Sequence, residues 1–166
     1  MAAREPPIEV DAPDLEMALG AGWTWLGSDT LGEFVLRATL QEGIGRANAT
    51  QAGAGWGGDR LSIYRHESGE KLLAWNLRWD STAEADEFQT AAEGWIRAVY
   101  SGAAERTSDG AFRLSGDGVG VWMITAGDST WLLIGDDADA LERATGSVRS
   151  LMLDAPGLAS SAAAAD

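Results

Sequence analysis

The stretch Leu61-Ser-Ile-Tyr-Arg-His66, Glu67-Ser-Gly-Glu70, Lys71-Leu-Leu-Ala-Trp-Asn-Leu-Arg-Trp79 decides the fold class. Successive side chains of a strand point to opposite faces, so Leu61 and Ile63 share one face of the first segment. Leu73, Trp75, Leu77 and Trp79 share one face of the second, and Leu72, Ala74, Asn76 and Arg78 share the other. The polar, glycine-containing Glu67–Glu70 between two such runs predicts a β-hairpin. Upstream, Ala54-Gly-Trp-Gly-Gly-Asp-Arg60 reads as a glycine-rich turn feeding the first strand.

Working outward, Ser81 and Glu84 have capping-box spacing, which opens a helix after the hairpin. Phe88, Ala91, Ala92, Trp95, Ile96 and Val99 form its apolar stripe, and Gly102 ends it. Three short strands follow at Ala111–Ser115, Val119–Ala126 and Thr130–Gly135, the last two joined by Gly127-Asp128-Ser129. Asp136 and Asp137 suit the positive end of a third helix. Its Leu141, Ala144, Val148 and Leu151 are expected to face inward, and Arg143 and Arg149 outward.

On the N-terminal side, Thr30 and Glu33 repeat the capping-box spacing, with Leu31, Phe34, Val35, Ala38 and Leu40 expected on one helical face. A short helical piece at Arg46–Gln51 follows. Residues 1–27 hold three of the four prolines and read as an extended arm, with Ala21–Leu26 as a short strand or pinned loop. A single domain is expected over 28–153, and a frayed Ala/Ser-rich tail over 154–166. Hairpin strands and helices in this order predict an α+β fold: an antiparallel sheet of about five strands with three helices packed mainly on one face.

Composition excludes several functions. The 166 residues carry 26 acids against 12 Lys and Arg, a formal net charge of −14. The one lysine is Lys71, and no basic run exists. A chain without a basic stripe cannot displace counterions from a polyanion, so no nucleic-acid or anionic-membrane partner is expected. There is no cysteine, which removes disulfides, thiolate nucleophiles and Cys-ligated zinc. No apolar run is long enough to span a bilayer, and the first residues lack the apolar core of a signal peptide. The 8 tryptophans are many, and each buried indole brings a large apolar area and an N–H that wants an acceptor.

Six residues stand out as ligand-binding candidates: Trp56, Asp59, Arg60, His66, Trp75 and Trp79. The glycines around Trp56 would let a ligand approach the backbone, and Arg60 could grip a carboxylate or phosphate in a fork. The same glycines also permit a tight turn in which Trp56 plugs the core and Asp59 caps or pairs locally, with Asp59 and Arg60 expected to pair within the domain. His66 is the only histidine, so any triad or His-based metal site would hang on it. Trp75 and Trp79, with Trp122 and Trp131, could wall a pocket or fill a core. Glu33, Asp80 and Glu84 read as caps, and Asp86 and Glu87 as solvated. Asp136, Asp137 and Asp139 lack the glycine and terminal glutamate of a calcium loop. Asn48-Ala-Thr50 matches a glycosylation sequon by chance composition. No catalytic residue, metal or cofactor is expected.

Gly55-Trp-Gly-Gly-Asp-Arg60, then Trp75 and Trp79-Asp-Ser81, then Ala85-Asp-Glu-Phe88, with Asp29-Thr-Leu-Gly-Glu33 upstream, resembles the C-terminal region of uncharacterised exported or cell-surface proteins of bacteria and haloarchaea. The resemblance covers about Asp29 to Phe88. In that family this region follows a zinc-peptidase-like His-Glu-x-x-His segment, a motif absent from this chain. It implies a non-catalytic accessory or binding domain, acting at the cell surface or outside the cell. Its partner would be a protein or the upstream peptidase-like segment. Trp79-Asp-Ser with Ala85 and Phe88 also resembles the dimeric α+β barrel oxygenases. That implies a small enzyme or ligand-binding homodimer as the alternative.

Overall fold

The computed structural model describes residues 7–154. Twelve elements follow in chain order. They are α1 (Glu16–Leu19), β1 (Trp23–Asp29), α2 (Gly32–Ile44), α3 (Arg46–Ala52), β2 (Trp56–His66), β3 (Lys71–Trp79), α4 (Thr82–Val99), β4 (Ala103–Arg106), β5 (Phe112–Gly116), β6 (Val119–Ala126), β7 (Ser129–Gly135) and α5 (Ala138–Asp154). The antiparallel α+β class expected from the hairpins is present. The counts differ: seven strands and five helices replace five and three. The added strands are β1, a full edge strand from Trp23, and β4, four residues pairing only with β5.

The strands form one sheet in the order β1-β2-β3-β7-β6-β5-β4. Every neighbouring pair is antiparallel. The single jump places β7 beside β3, with Trp75 opposite Leu132 and Leu73 opposite Ile134. This puts the 61–79 hairpin in the interior of the sheet, where both strand faces must be covered.

Both faces are covered, which corrects the expectation of helices mainly on one side. On one face α2, α3 and α4 bury Leu77, Trp75, Trp79, Phe112, Leu114, Met123 and Leu132 beneath Leu36, Leu40, Phe88, Trp95 and Ile96. On the other, α1 and α5 bury Tyr64, Leu72, Ala74, Trp122, Trp131 and Leu133 beneath Leu15, Leu19, Leu141, Ala144 and Val148. The two-residue alternation of β3 therefore feeds two cores: Leu72 and Ala74 enter one, Trp75, Leu77 and Trp79 the other.

The segment before α1 is pinned to the sheet. The N–H of Ile8 donates to Gly57 O at 2.7 Å, and Tyr64 Oη donates to Pro13 O at 2.5 Å. A side chain at position 58 would meet the carbonyl oxygen of Ile8 at 2.2 Å, so Gly58 is required by this close approach. The arm expected to be extended over 1–27 is docked from residue 8, but it holds the short helix α1 at Glu16–Leu19, and its last residues, from Trp23, belong to β1. The tail expected over 154–166 lies, beyond Asp154, outside the described residues.

Helix α2 turns a different face inward from the one its periodicity suggested. Leu40 is buried as expected, but its partner is Leu36, whereas Phe34 is 83% exposed and Val35 is also exposed. Two stripes, Phe34 with Ala38 and Leu36 with Leu40, compete in this helix. The closest contact decides between them: a Cβ at Gly43 would stand 2.8 Å from the Trp95 ring, so that edge of α2 is pressed against α4.

Candidate functional site

The six candidate residues lie along β2 and β3, and the sheet separates them. Asp59 and Arg60 are adjacent on a strand and point to opposite faces. Asp59 is 1% exposed, beneath α2. Its carboxylate accepts three hydrogen bonds: Oδ1 from the N–H of Gly32 (2.9 Å), Oδ2 from the N–H of Leu31 (3.0 Å) and from Trp75 Nε1–H (2.8 Å). Its backbone carbonyl accepts from Thr30 Oγ1 at 3.1 Å. The start of α2 is therefore capped by a strand residue 27 positions away, in place of the expected Thr30–Glu33 box. The expected Asp59–Arg60 pair does not form among the described residues. Arg60 is half-buried on the other face, and its Nε is enclosed without a hydrogen-bond partner.

The tryptophans are likewise used by the fold. Trp79 Nε1–H donates to Thr130 Oγ1 at 3.1 Å, and its ring lies 4.6 Å from Phe88. Trp75 is held by Asp59. Trp56 faces Trp79 across the β2–β3 ladder, where the register slips by one residue. Its Nε1 is enclosed without an acceptor.

His66 stands at the far end of β2, six residues from Arg60, about 20 Å along an extended strand. One small ligand cannot touch both. The imidazole packs 5.4 Å from the Trp23 ring and over Gly22, where a Cβ would lie 2.3 Å from Nε2. Its Nδ1 is 2.5 Å from Ser68 Oγ, which donates to Glu70 Oε2 at 2.6 Å. The Ser68 hydroxyl, with His66 nearby, holds the exposed Glu70 carboxyl below its ordinary value of 4.5. A depressed folded-state value means this contribution to stability is present above about 4.5 and is lost as pH falls through the folded value. In a carbon-detected NMR titration Ser68→Ala is expected to move the Glu70 midpoint back up. An unchanged midpoint would show that the hydroxyl is not the cause.

Three concavities lie elsewhere. One of about 420 Å³ opens between α3 and α4, lined by Ile44, Asn48, Gln51, Glu87, Thr90 and Gly94 among others. One of about 670 Å³ lies beside Tyr100, Gly102, Gly116 and Asp117. One of about 270 Å³ is formed by Ala12, Pro13, Asp14, Glu16, Trp25 and Tyr64. None of these three includes any of the six candidates. Among the described residues no group of three or more His, Asp or Glu is placed to hold a metal ion. No described helix is long and apolar enough to cross a membrane.

A family model described as a domain of unknown function, DUF8575, matches residues 23–145, from the first residue of β1 into α5. The chain belongs to the DUF8575 family. The match takes in all seven strands and α2 to α4, so the Asp59 cap and the core beneath α2, α3 and α4 lie within the DUF8575 domain, whereas the second core draws Leu15 and Leu19 from α1 before the match and Val148 from beyond it. No curated protein and no solved structure gives a significant match.

Sequence reasoning missed the 270 Å³ pocket altogether. Its indole, Trp25, alternates with Trp23 and was assigned with it to a strand or pinned loop. The other available signal was the run of acids Glu9, Asp11, Asp14 and Glu16, placed in the arm without a role.

Proposed function

We propose that this is a non-catalytic accessory or binding domain of an exported or cell-surface protein. The observation that carries the reading is the fate of Asp59. The most reactive-looking residue of the glycine-rich motif is a buried cap whose carboxylate already accepts three hydrogen bonds. Trp75 and Trp79 serve the same packing, and Arg60 and His66 are too far apart to share a substrate. The resemblance of Asp29–Phe88 to the C-terminal regions of exported proteins supplies the location and the accessory role.

The oxygenase-like alternative gains no support from the sheet order. In a split βαβ unit the strands joined by the helix have another strand between them. Here β1 and β2, joined through α2 and α3, are direct antiparallel neighbours.

The test is an activity screen of the purified chain against ester, peptide, phosphomonoester and glycoside reporters. The expected outcome is no turnover above buffer, with wild type, Arg60→Ala and His66→Ala indistinguishable. Turnover that disappears in either variant would overturn the non-catalytic reading.

A further inference from the structure

We propose that the pocket between the docked arm and β1 binds an alkylammonium group, with Trp25 as its aromatic wall and Asp14 and Glu16 as its counter-charges. The inference rests on the binding-domain reading and names the chemistry that such a domain would capture.

The pocket is built rather than incidental. Its floor is Tyr64, whose buried hydroxyl donates to Pro13 O and receives the N–H of Leu15 at 3.4 Å. Burial raises the Tyr64 phenol above its ordinary value, so it stays protonated and keeps the arm bound. One side is fixed by Glu16, whose Oε1 accepts the N–H of Trp25 at 2.9 Å. Asp14 Oδ1 in turn accepts the N–H of Glu16 at 3.2 Å. Each carboxylate thus uses one oxygen in a backbone hydrogen bond at the pocket, and both residues line it and are exposed.

Trp25 is the decisive wall. It is 46% exposed in a protein that buries Trp75, Trp79, Trp95, Trp122 and Trp131. An indole face beside carboxylates is the arrangement that attracts a desolvated ammonium, because the ring quadrupole and the anions act in the same sense. A volume of about 270 Å³ suits a trimethylammonium head or the end of a lysine side chain.

The local field agrees. No Lys or Arg occurs from Glu5 to Leu36, while Glu9, Asp11, Asp14 and Glu16 are all exposed on the arm. Of the cations on packed elements, Arg143 of α5 spends its Nε on Leu19 O at 3.1 Å, and Arg65 of β2, opposite Thr24, follows Tyr64 on the strand and so points to the other face of the sheet. The net charge of −14 steers cations toward the surface and anions away.

Isothermal titration calorimetry at fixed ionic strength tests the site. The probes are tetramethylammonium, n-butylammonium and Nα-acetyl-lysine amide, with 3,3-dimethylbutan-1-ol as a neutral control. Saturable binding of at least one cation is expected, with none of the alcohol. Trp25→Ala is expected to weaken it about tenfold, with Trp25→Phe retaining part of the affinity. Asp14→Asn and Glu16→Gln are each expected to weaken it about threefold, the latter keeping an oxygen for the Trp25 N–H. Unchanged thermal midpoints will show that these variants remain folded. A preference for the lysine amide would mark a protein side chain as the source, and a preference for the quaternary ion a free small molecule; both support the site. Absence of binding by all three cations, equal binding of the alcohol, or indifference to Trp25→Ala in a folded variant would overturn it. Reporter turnover with ammonium binding intact would overturn the non-catalytic reading alone. Absence of both would overturn this inference alone.

Discussion

Replacing Asp59 with alanine is expected to destabilise the domain by about 3–5 kcal/mol, because three buried donors lose their acceptor at once and each orphaned group costs about 1–3 kcal/mol. The N–H groups of Leu31 and Gly32 and the indole N–H of Trp75 are those donors. Relief of the desolvation carried by a buried carboxylate offsets part of the loss and holds the total below a simple sum. Asp59→Asn is expected to fall between, since one amide oxygen still accepts but an NH2 group now faces a donor. Urea denaturation followed by fluorescence measures the change. Hydrogen exchange should show its place, with Leu31 and Gly32 losing protection before the β3 and β7 strands. A loss below about 1 kcal/mol would mean that α2 finds another cap and that Asp59 is free for other chemistry.

The second large effect belongs to Trp79. It is fully buried beneath α4, stacked beside Phe88 and bonded to Thr130. Trp79→Ala removes a large apolar volume from the helical-side core, and truncations of this kind cost about 3–5 kcal/mol. Trp79→Phe keeps most of the packing but leaves Thr130 without the indole, for an expected loss of about 1–2 kcal/mol. Trp25→Ala, half-exposed at the sheet edge, should stay within about 0.5 kcal/mol of wild type. Equal losses for Trp79→Ala and Trp25→Ala would contradict the assignment of one to the core and the other to a binding wall.

Much of the fold was legible because its central hairpin carries two clean signals, alternation in Lys71–Trp79 and a polar turn at Glu67–Glu70. The Ser81–Glu84 cap formed as expected, with the N–H of Glu84 donating to Ser81 Oγ at 3.3 Å. Asp137 caps α5 through the N–H of Ala140 at 2.8 Å, but Asp136 reaches instead to the N–H of Lys71. What could not be read were the long-range choices. Periodicity shows that both faces of β3 are apolar, as Leu72 and Ala74 alternate with Leu73 and Trp75. It does not say that α5 crosses to the face opposite α4, and the two-sided burial of β3 was read as one-sided. The rotation of α2 was misjudged because Phe34 and Leu36 are equally apolar in a list, and only Gly43 against Trp95 distinguishes them. The α2 cap was misplaced because its donor groups and its acceptor are far apart in sequence.

The candidate site was legible as a set of residues and not as a place. The glycine-rich motif did mark something unusual: Gly58 leaves room for the Ile8 backbone, and Asp59 ties strand to helix. Both are architectural. Adjacent strand positions cannot converge on one ligand, so Asp59 and Arg60 were separated by pleat geometry alone. Trp25 escaped notice because half-exposure is not visible in a sequence of eight tryptophans.

The bond from the Trp25 N–H to Glu16 has one more consequence. β1 is the margin of the sheet, and an outward amide there would invite another polypeptide to add itself to the ladder. A side-chain carboxylate already occupies that amide, and the backbone slips register between Trp25 and Gly27. An incoming strand would have to evict an anion and straighten a kink before its first bond could form. Removing the charge while keeping the shape leaves that barrier half standing; removing the side chain altogether would turn a closed border into a seam along which copies of the molecule could join.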